Sequence, residues 1–574
     1  MKQFFTRICW AMGLIISTLS LTNAQTLSFP PLDTNYRSVE VRVANNLKMD
    51  VLFEGNRDAV WSGSQYGLAK TWHDFIGLVP LEYGNDSVLL IVNHELRTNA
   101  RNPILGDGGG MTVFQANKDR NGRWKAVPRN GITYRQVDFK PVGGTLTNCG
   151  GATMPQLGYF LTGEEITPTT NASLISSFSD TSNFVIPTGP YKGRSIKAYE
   201  NFGWMVMVNA LTAKATYKSY AMGRASWEGG WAAEDGKTVY LMTDNTPAPL
   251  LRFIADTAFN YEYGKLQAYK QGVNGVNGTW MDLPRDWDSV YNCNAVAFRR
   301  GATMFTRLEW AVGEKGKLYI AETGNDAANY KAGMLMGGVP SLHFMRQDTL
   351  NGQARDSVFQ DFYGRVLELD LTTNNLRVLL EGGRGSKFTF SNPDGLSIHK
   401  MDNKTYLIVV EDLNGTSQGR SGSSGASICE AFFLDLAIQN PTLNDLRPFI
   451  AGPNGAELTG SVSTPDGKTM FINSQHPSAN NIAPFNNDVT VAITGFSFTT
   501  PTKEVQVSED FSVYPNPAVD VINFNKMTDV ALYNIAGQQI RVARNTTQIN
   551  VSDLNAGVYF LQTMKGEVVK IVKQ

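Results

Sequence analysis

A turn carrying Gly or Asp, a strand of alternating apolar residues, and an acidic or amide residue at the strand's end recur six times along this chain of 574 residues. No other feature limits the fold as much, because self-similarity at a fixed period is the mark of a repeat architecture. The copies run over residues 84–95, 158–165, 235–245, 315–323, 403–412 and 466–476. Their spacing of roughly 60 to 90 residues exceeds the minimal ~40 to 50 of a propeller blade and suits four-stranded blades with long loops. The repeat therefore predicts an all-β chain built as a six-bladed β-propeller.

A propeller arranges equivalent strands radially, so one polar residue at the same end of each repeat would converge on the axis. The repeat ends supply Glu95, Glu164, Glu165, Glu322 and Asp412. Asp and Asn also end strands as ordinary turn formers, but Glu has no such turn role. A ring of carboxylates repels itself without cations, and hard oxygen ligands in this number suit Ca²⁺. Cys149 sits in the glycine-rich turn Asn148-Cys149-Gly150-Gly151 before Glu164-Glu165. It is either an inert buried thiol or a ligand, and a thiolate beside carboxylates points to a transition metal such as iron.

The two ends speak to compartment. Lys2 and Arg7 precede an apolar run from Ile8 to Leu21, and Thr22-Asn23-Ala24 offers a small-residue cleavage site. This is the layout of a secretory signal peptide over residues 1–24; a membrane anchor is the alternative, for which the run is short. Cleavage removes Cys9 and leaves Cys149, Cys293 and Cys429, an odd number for a secreted chain. Fifty-one basic against 52 acidic residues exclude the basic excess of a nucleic-acid binder. At the other end, residues 499–507 read as a Thr/Pro linker between a main body over 25–498 and a small β-sandwich-like domain over 508–574. The landmarks Tyr514-Pro515-Asn516-Pro517, Leu532-Tyr533-Asn534 with Gly537, and Gly557-Val558-Tyr559-Phe560-Leu561-Gln562 resemble the C-terminal sorting domain of the Bacteroidetes type IX secretion system. A small carbohydrate-binding or adhesion sandwich is the bland alternative. The resemblance implies a secreted or surface protein whose tail engages the secretion machinery, with no membrane span in the mature chain.

In the body, five motifs recur in order: Asn93-His94-Glu95, Asn148-Cys149 with Thr162-Gly163-Glu164-Glu165, Gly223-Arg224 to Glu228, Arg307-Leu308-Glu309, and Pro393-Asp394-Gly395. A sixth joins residues 452–460 to Thr464-Pro465-Asp466-Gly467 and Gln475-His476-Pro477. In that order they resemble the PhoX-type alkaline phosphatases, secreted six-bladed propellers with an iron and calcium cluster. The resemblance implies a monomeric phosphoric ester hydrolase acting on phosphomonoesters, with diesters as a further class, through Fe³⁺ and Ca²⁺. It implies that Cys149, one or both of Glu164 and Glu165, Glu228 and Glu309 form the iron shell with its bridges to calcium. Asp394, Asp412 and Glu457 are its candidate calcium ligands, and Arg307 the arginine that grips phosphate, with Cys149 and Glu309 beside it in catalysis. Leu308 stands where the family usually has Pro, Trp227 where a His commonly precedes the Glu, and Gly150 where Ala usually follows the Cys. Two rivals remain at this level: a calcium-dependent lactonase or esterase propeller, and a non-enzymatic binding propeller.

Other signals carry less. Gly106-Asp107-Gly108-Gly109-Gly110 lacks the Gly-Lys-Ser/Thr ending of a P-loop and reads as a turn, so no organic cofactor site is expected. The five histidines lack the spacing of a zinc helix, though His94 and His476 sit at repeat ends as candidate outer donors. Gly415-Thr416-Ser417-Gln418-Gly419 spells a serine-hydrolase elbow, but the Ser/Gly-rich run after it reads as a loop or lid.

Overall fold

The computed structural model describes residues 26–33, 38–81, 84–324, 339–340, 361, 363–384, 389–412, 428–499, 511–535, 537–563 and 567–574. The signal-peptide residues 1–24, most of the linker and the Gly415–Gly419 loop lie outside them. Almost all regular structure is strand; the α-helices are the short Trp287–Tyr291 and Cys293–Arg299. No helix among the described residues is long and apolar enough to cross a membrane.

The chain divides into two compact units, Leu27–Ser497 and one built on Phe498–Gln574. The larger holds six sheets of four or more strands. Each begins with one first strand: His73–Leu81, Asn148–Thr153, Trp227–Ala232, Leu308–Glu314, Pro393–Met401 or Glu457–Ser463. The strand paired to it is in every case the repeated strand of the sequence: Gly84–His94, Tyr159–Glu164, Thr238–Thr243, Lys317–Glu322, Lys404–Glu411 and Thr469–Gln475. These second strands are nearly continuous runs of buried residues, as in Lys404–Glu411, because sheets cover both of their faces. Full burial of each Leu, Ile, Val or Phe in them stabilises by roughly 1.5–3 kcal/mol.

The first strands pack on one another in chain order, and Glu457–Ser463 packs on His73–Leu81 in turn. The N-terminal strand Lys48–Glu54 pairs antiparallel with Val489–Thr494, so the last sheet combines both ends of the unit. The smaller unit is a single curled sheet of five strands, in which the long strand Val521–Asn534 pairs with Gln539–Asn550 on one side and Gly557–Thr563 on the other. Phe511, Ile522, Phe524, Val530, Leu532, Leu561 and Ile571 form its own core. The expected sandwich thus reduces to one curled sheet among the described residues.

Candidate metal centre

The first strands share one local device. Register pairs His73 with His94, Asn148 with Glu164, Trp227 with Thr243, Leu308 with Glu322 and Pro393 with Glu411, and in each pair of strands the ladder then slips. The residue just past that pair lies in the bulge, which re-aims its side chain. Those residues are Asp74, Cys149, Glu228, Glu309 and Asp394, joined by Glu457 from the sixth sheet, and all six line one cavity of about 450 Å³. The first residue beyond the second strand adds to the same lining: Glu95, Glu165, Asp244, Asp412 and His476. Their placement is also repeated. The N–H groups of Glu95, Glu165, Asp244, Thr323 and Asp412 donate to the carbonyls of Trp72, Thr147, Ser226, Arg307 and Asn392, each two residues before a bulged residue. Four of those five have left-handed backbones: Trp72 (φ 59°), Thr147 (φ 48°), Arg307 (φ 53°) and Asn392 (φ 51°). Non-glycine residues seldom adopt this conformation, and such strain clusters at functional sites.

Cys149 is the most elaborately held. Asn93 Nδ2 donates to the Cys149 carbonyl, to Gly150 O (3.1 Å) and to Thr162 Oγ1 (2.9 Å). Its thiol lies 2.7 Å from both Asp74 Oδ2 and Glu228 Oε2. Single ligand atoms of Asp74, Cys149 and Glu228 lie within 4.8 Å of one another, as do those of Glu95, Cys149 and Glu165, and of Glu165, Glu228 and Asp244. Burial pushes the Cys149 thiol well up, and the neighbouring Asp74, Glu228, Glu95 and Glu165 push it further. Burial and like charges likewise raise Asp74, Glu165, Glu228, Glu309 and Glu457, and bring Asp394 to about 8.

Two arginines offset part of this charge. Arg307 Nε donates to Asp244 Oδ1 (2.7 Å), while its terminal nitrogen lies 3.0 Å from Glu309 and 3.1 Å from Asp412. Arg97 pairs with Glu95 and with Glu165 (2.9 Å), and its side chain remains 45% exposed. Two guanidinium groups cannot balance nine carboxyl groups and a thiol around one cavity. The donor set, carboxylate oxygens with one sulfur, fits multivalent cations of hard and borderline character.

The family model for alkaline phosphatase PhoX matches residues 48–478, three quarters of the chain. The chain belongs to the PhoX family. A second model, the secretion system C-terminal sorting domain, matches residues 512–574. Among solved structures, Pseudomonas fluorescens PhoX in complex with vanadate, a transition state analogue, is similar in fold: TM-score 0.60 at 18% identity over 82% of this chain and 98% of that one. Trypanosoma rangeli sialidase in complex with the inhibitor DANA matches at TM-score 0.35 and 8% identity, over 79% of this chain and 60% of that one, too weakly to inform function. No curated protein matches the sequence. This PhoX-type protein is thus a secreted alkaline-phosphatase-type hydrolase carrying a type IX sorting domain, so it is exported to the surface or beyond.

Of the residues singled out in the PhoX sequence, Cys149, Glu165, Glu228, Arg307, Glu309, Asp394, Asp412 and Glu457 all line the cavity. Glu164 does not. Strand alternation turns it the other way, where its carboxylate pairs with fully buried Lys218 at 2.7 Å and accepts from Trp204 N. Glu322 is likewise structural, accepting from Thr306 N and pairing with Arg365. Asp74, Asp244, Arg97 and Thr246 line the cavity without having been assigned from sequence. Asp244 ends the third repeat of the sequence but was given no role there, and Asp74 became findable only through register, since it holds the position that Cys149 holds in another sheet. His476 reaches the wall, whereas His94 is buried behind it against Thr112 Oγ1 (2.8 Å). The departure at Gly150 has a steric reason, since a Cβ there would come within 2.4 Å of Gly229 N on the next first strand. Cys293 and Cys429 are both buried away from the cavity lining.

Proposed function

We propose that the cavity hydrolyses phosphomonoesters, with diesters as a further class, using Fe³⁺ and Ca²⁺ held by Cys149 and the surrounding carboxylates. The observation that carries this reading is the convergence of Cys149, nine carboxyl groups and two arginines on one cavity. Cys149 with Asp74, Glu228, Glu165 and Glu309 would hold the iron, and Asp394, Asp412 and Glu457 calcium. When bound, these cations would outweigh the carboxylate charge, orient the phosphoryl group and activate an oxygen nucleophile. Arg307 supplies planar donors for phosphoryl oxygens, and its contacts with Asp244, Glu309 and Asp412 keep the guanidinium aimed into the cavity. Arg97, more exposed, meets the dianionic ester first and lowers the repulsion it encounters.

The same reading takes the six sheets as a closed six-bladed propeller, supported by the cyclic packing order of the first strands and by the shared last sheet. The curled tail sheet then serves as the sandwich-like sorting domain. Domain limits of 1–24, 25–498, 499–507 and 508–574 belong to this reading, and the break between the two family matches and between the two units near residue 498 supports the division of body from tail. The test is elemental analysis and p-nitrophenyl phosphate hydrolysis before and after EGTA. Iron with calcium and abolished turnover are expected; full turnover in verified metal-free protein would overturn the reading.

A further inference from the structure

The glycine run Gly106-Asp107-Gly108-Gly109-Gly110, which the phosphatase reading leaves unused, is gathered around one buried side chain. Lys70 is 5% exposed, and its Nζ donates to the carbonyls of Gly106 (2.8 Å), Gly108 (3.0 Å) and Gly109. An ammonium has three N–H groups, so every donor finds an acceptor, and carbonyl dipoles that would otherwise repel are held to a common centre. Lys70 does not itself line the metal cavity.

The run it gathers is locked to the residues behind that cavity. Gly110 bonds through both of its backbone groups: its N–H donates to Asn148 Oδ1 (2.7 Å), and its carbonyl accepts from His94 N (2.9 Å). Asn148 and His94 immediately precede Cys149 and Glu95, whose ligand atoms lie with that of Glu165 within 4.8 Å of one another. The fit leaves no slack, since a Cβ on Gly109 would come within 2.4 Å of Asn148 Oδ1 and 2.7 Å of His94 O. Asn148 Nδ2 in turn donates to Thr162 Oγ1 (3.0 Å), the hydroxyl that also accepts from the Asn93 amide holding the Cys149 carbonyl.

We propose that Lys70 is a positioning residue of the metal centre: by gathering the glycine carbonyls it sets Gly110 against His94 and Asn148, and so fixes the spacing of Glu95 and Cys149. The inference rests on the reading of Cys149 as a ligand to iron. Groups that orient ligands from behind typically carry about 10- to 100-fold of metal affinity. A lysine that only supported the fold would cost stability and leave the affinity of the folded protein unchanged.

The test compares full-length wild type with Lys70→Ala at pH 6, below the value of about 7 to which burial draws the ammonium against the pull of Asp107. Iron affinity of the folded protein is read against a competing chelator, together with the visible thiolate-to-iron absorption. Lys70→Ala should bind iron about 10- to 100-fold more weakly, with a shifted band. Lys70 borders a cavity of about 490 Å³, through which propylammonium can replace the lost atoms from Cγ to Nζ. Propylammonium should restore affinity and band, whereas 1-propanol, of similar length but without the charge, should not. Wild-type affinity and band in folded Lys70→Ala, or equal rescue by 1-propanol, would overturn the proposal. Should that variant not fold, Asn148→Ser removes the acceptor of the Gly110 N–H and should weaken iron in the same way; wild-type affinity there would overturn the proposal too. Wild-type protein that takes up no iron would bring down the metal reading itself, and this inference with it.

Discussion

Glu164 and Glu165 are adjacent in sequence and opposite in role, and the difference can be measured. Glu164 and Lys218 are both fully buried, so Glu164→Ala leaves an unpaired ammonium in the interior and should cost about 3–5 kcal/mol of stability. Metal content of the folded fraction should be unchanged, as read by denaturant melts and elemental analysis. Glu165→Gln should do the reverse, lowering bound metal with little loss of stability, because it relieves repulsion from Glu95. Arg307 is a separate case. Three carboxylates hold its charge on firmly, so a Lys in its place keeps the charge but loses the fork. Arg307→Lys should lower kcat/KM roughly 10²-fold with metals retained and phosphate inhibition weakened. Wild-type kinetics would return Arg307 to a purely structural role.

At the scale of elements, the first strand is the working unit. A left-handed residue, one ladder pair and a bulge together turn a ligand toward the cavity in sheet after sheet, while the second strand contributes one residue from its end. Close approach of neighbouring sheets depends on glycine: besides Gly150 against Gly229 N, a Cβ on Gly163 of a second strand would meet Trp227 O and Glu228 O at 2.6 Å, and one on Gly460 would meet Asp74 O at 2.5 Å. These are backbone contacts that cannot swing aside. Gly150→Ala should therefore destabilise by about 1–3 kcal/mol and shift Cys149 and Glu228 apart. Reduced iron per folded molecule and a lower Tm are the expected outcomes, even though Ala is the residue the family usually has here.

For the whole molecule, the metal-free state should show an inverted pH response. A carboxyl whose folded pKa is raised keeps its proton where the unfolded chain has lost it, so stability falls as pH rises. Asp394, raised to about 8 by burial and Asp412, places the fall up to at least about pH 8, and the ordinary carboxylate value of about 4 sets its lower edge. Thermal melts of EGTA-treated protein should thus drop progressively between about pH 4 and pH 8, and added metal should restore them at pH 8. A flat or rising profile would show that the carboxylates do not repel as placed. The tail has its own core, so deleting residues 511–574 should leave phosphatase activity in lysate intact and stop export. Normal appearance of the truncated protein in the medium would contradict the sorting role.

Local pattern alone was enough to locate all six second strands, since alternation and turn chemistry are properties of contiguous residues. The tail, and Cys149, Glu228, Glu309 and Asp394, were singled out through short ordered motifs that resemble known families, and those four residues line the cavity. Local pattern could not separate Glu164 from Glu165, because a period of two puts neighbours on opposite faces and only the register with Asn148 says which face is the cavity. Nor could it find Asp74 or give Asp244 a role, because their partners Cys149 and Arg307 lie far away in the chain. Arg307 and Glu309 do share a cavity, as simple alternation along a strand would suggest, yet a left-handed residue and a bulge bring them there. Which side chains meet in the cavity is a matter of register, bulges and packing between sheets, quantities that exist only once the whole unit has folded.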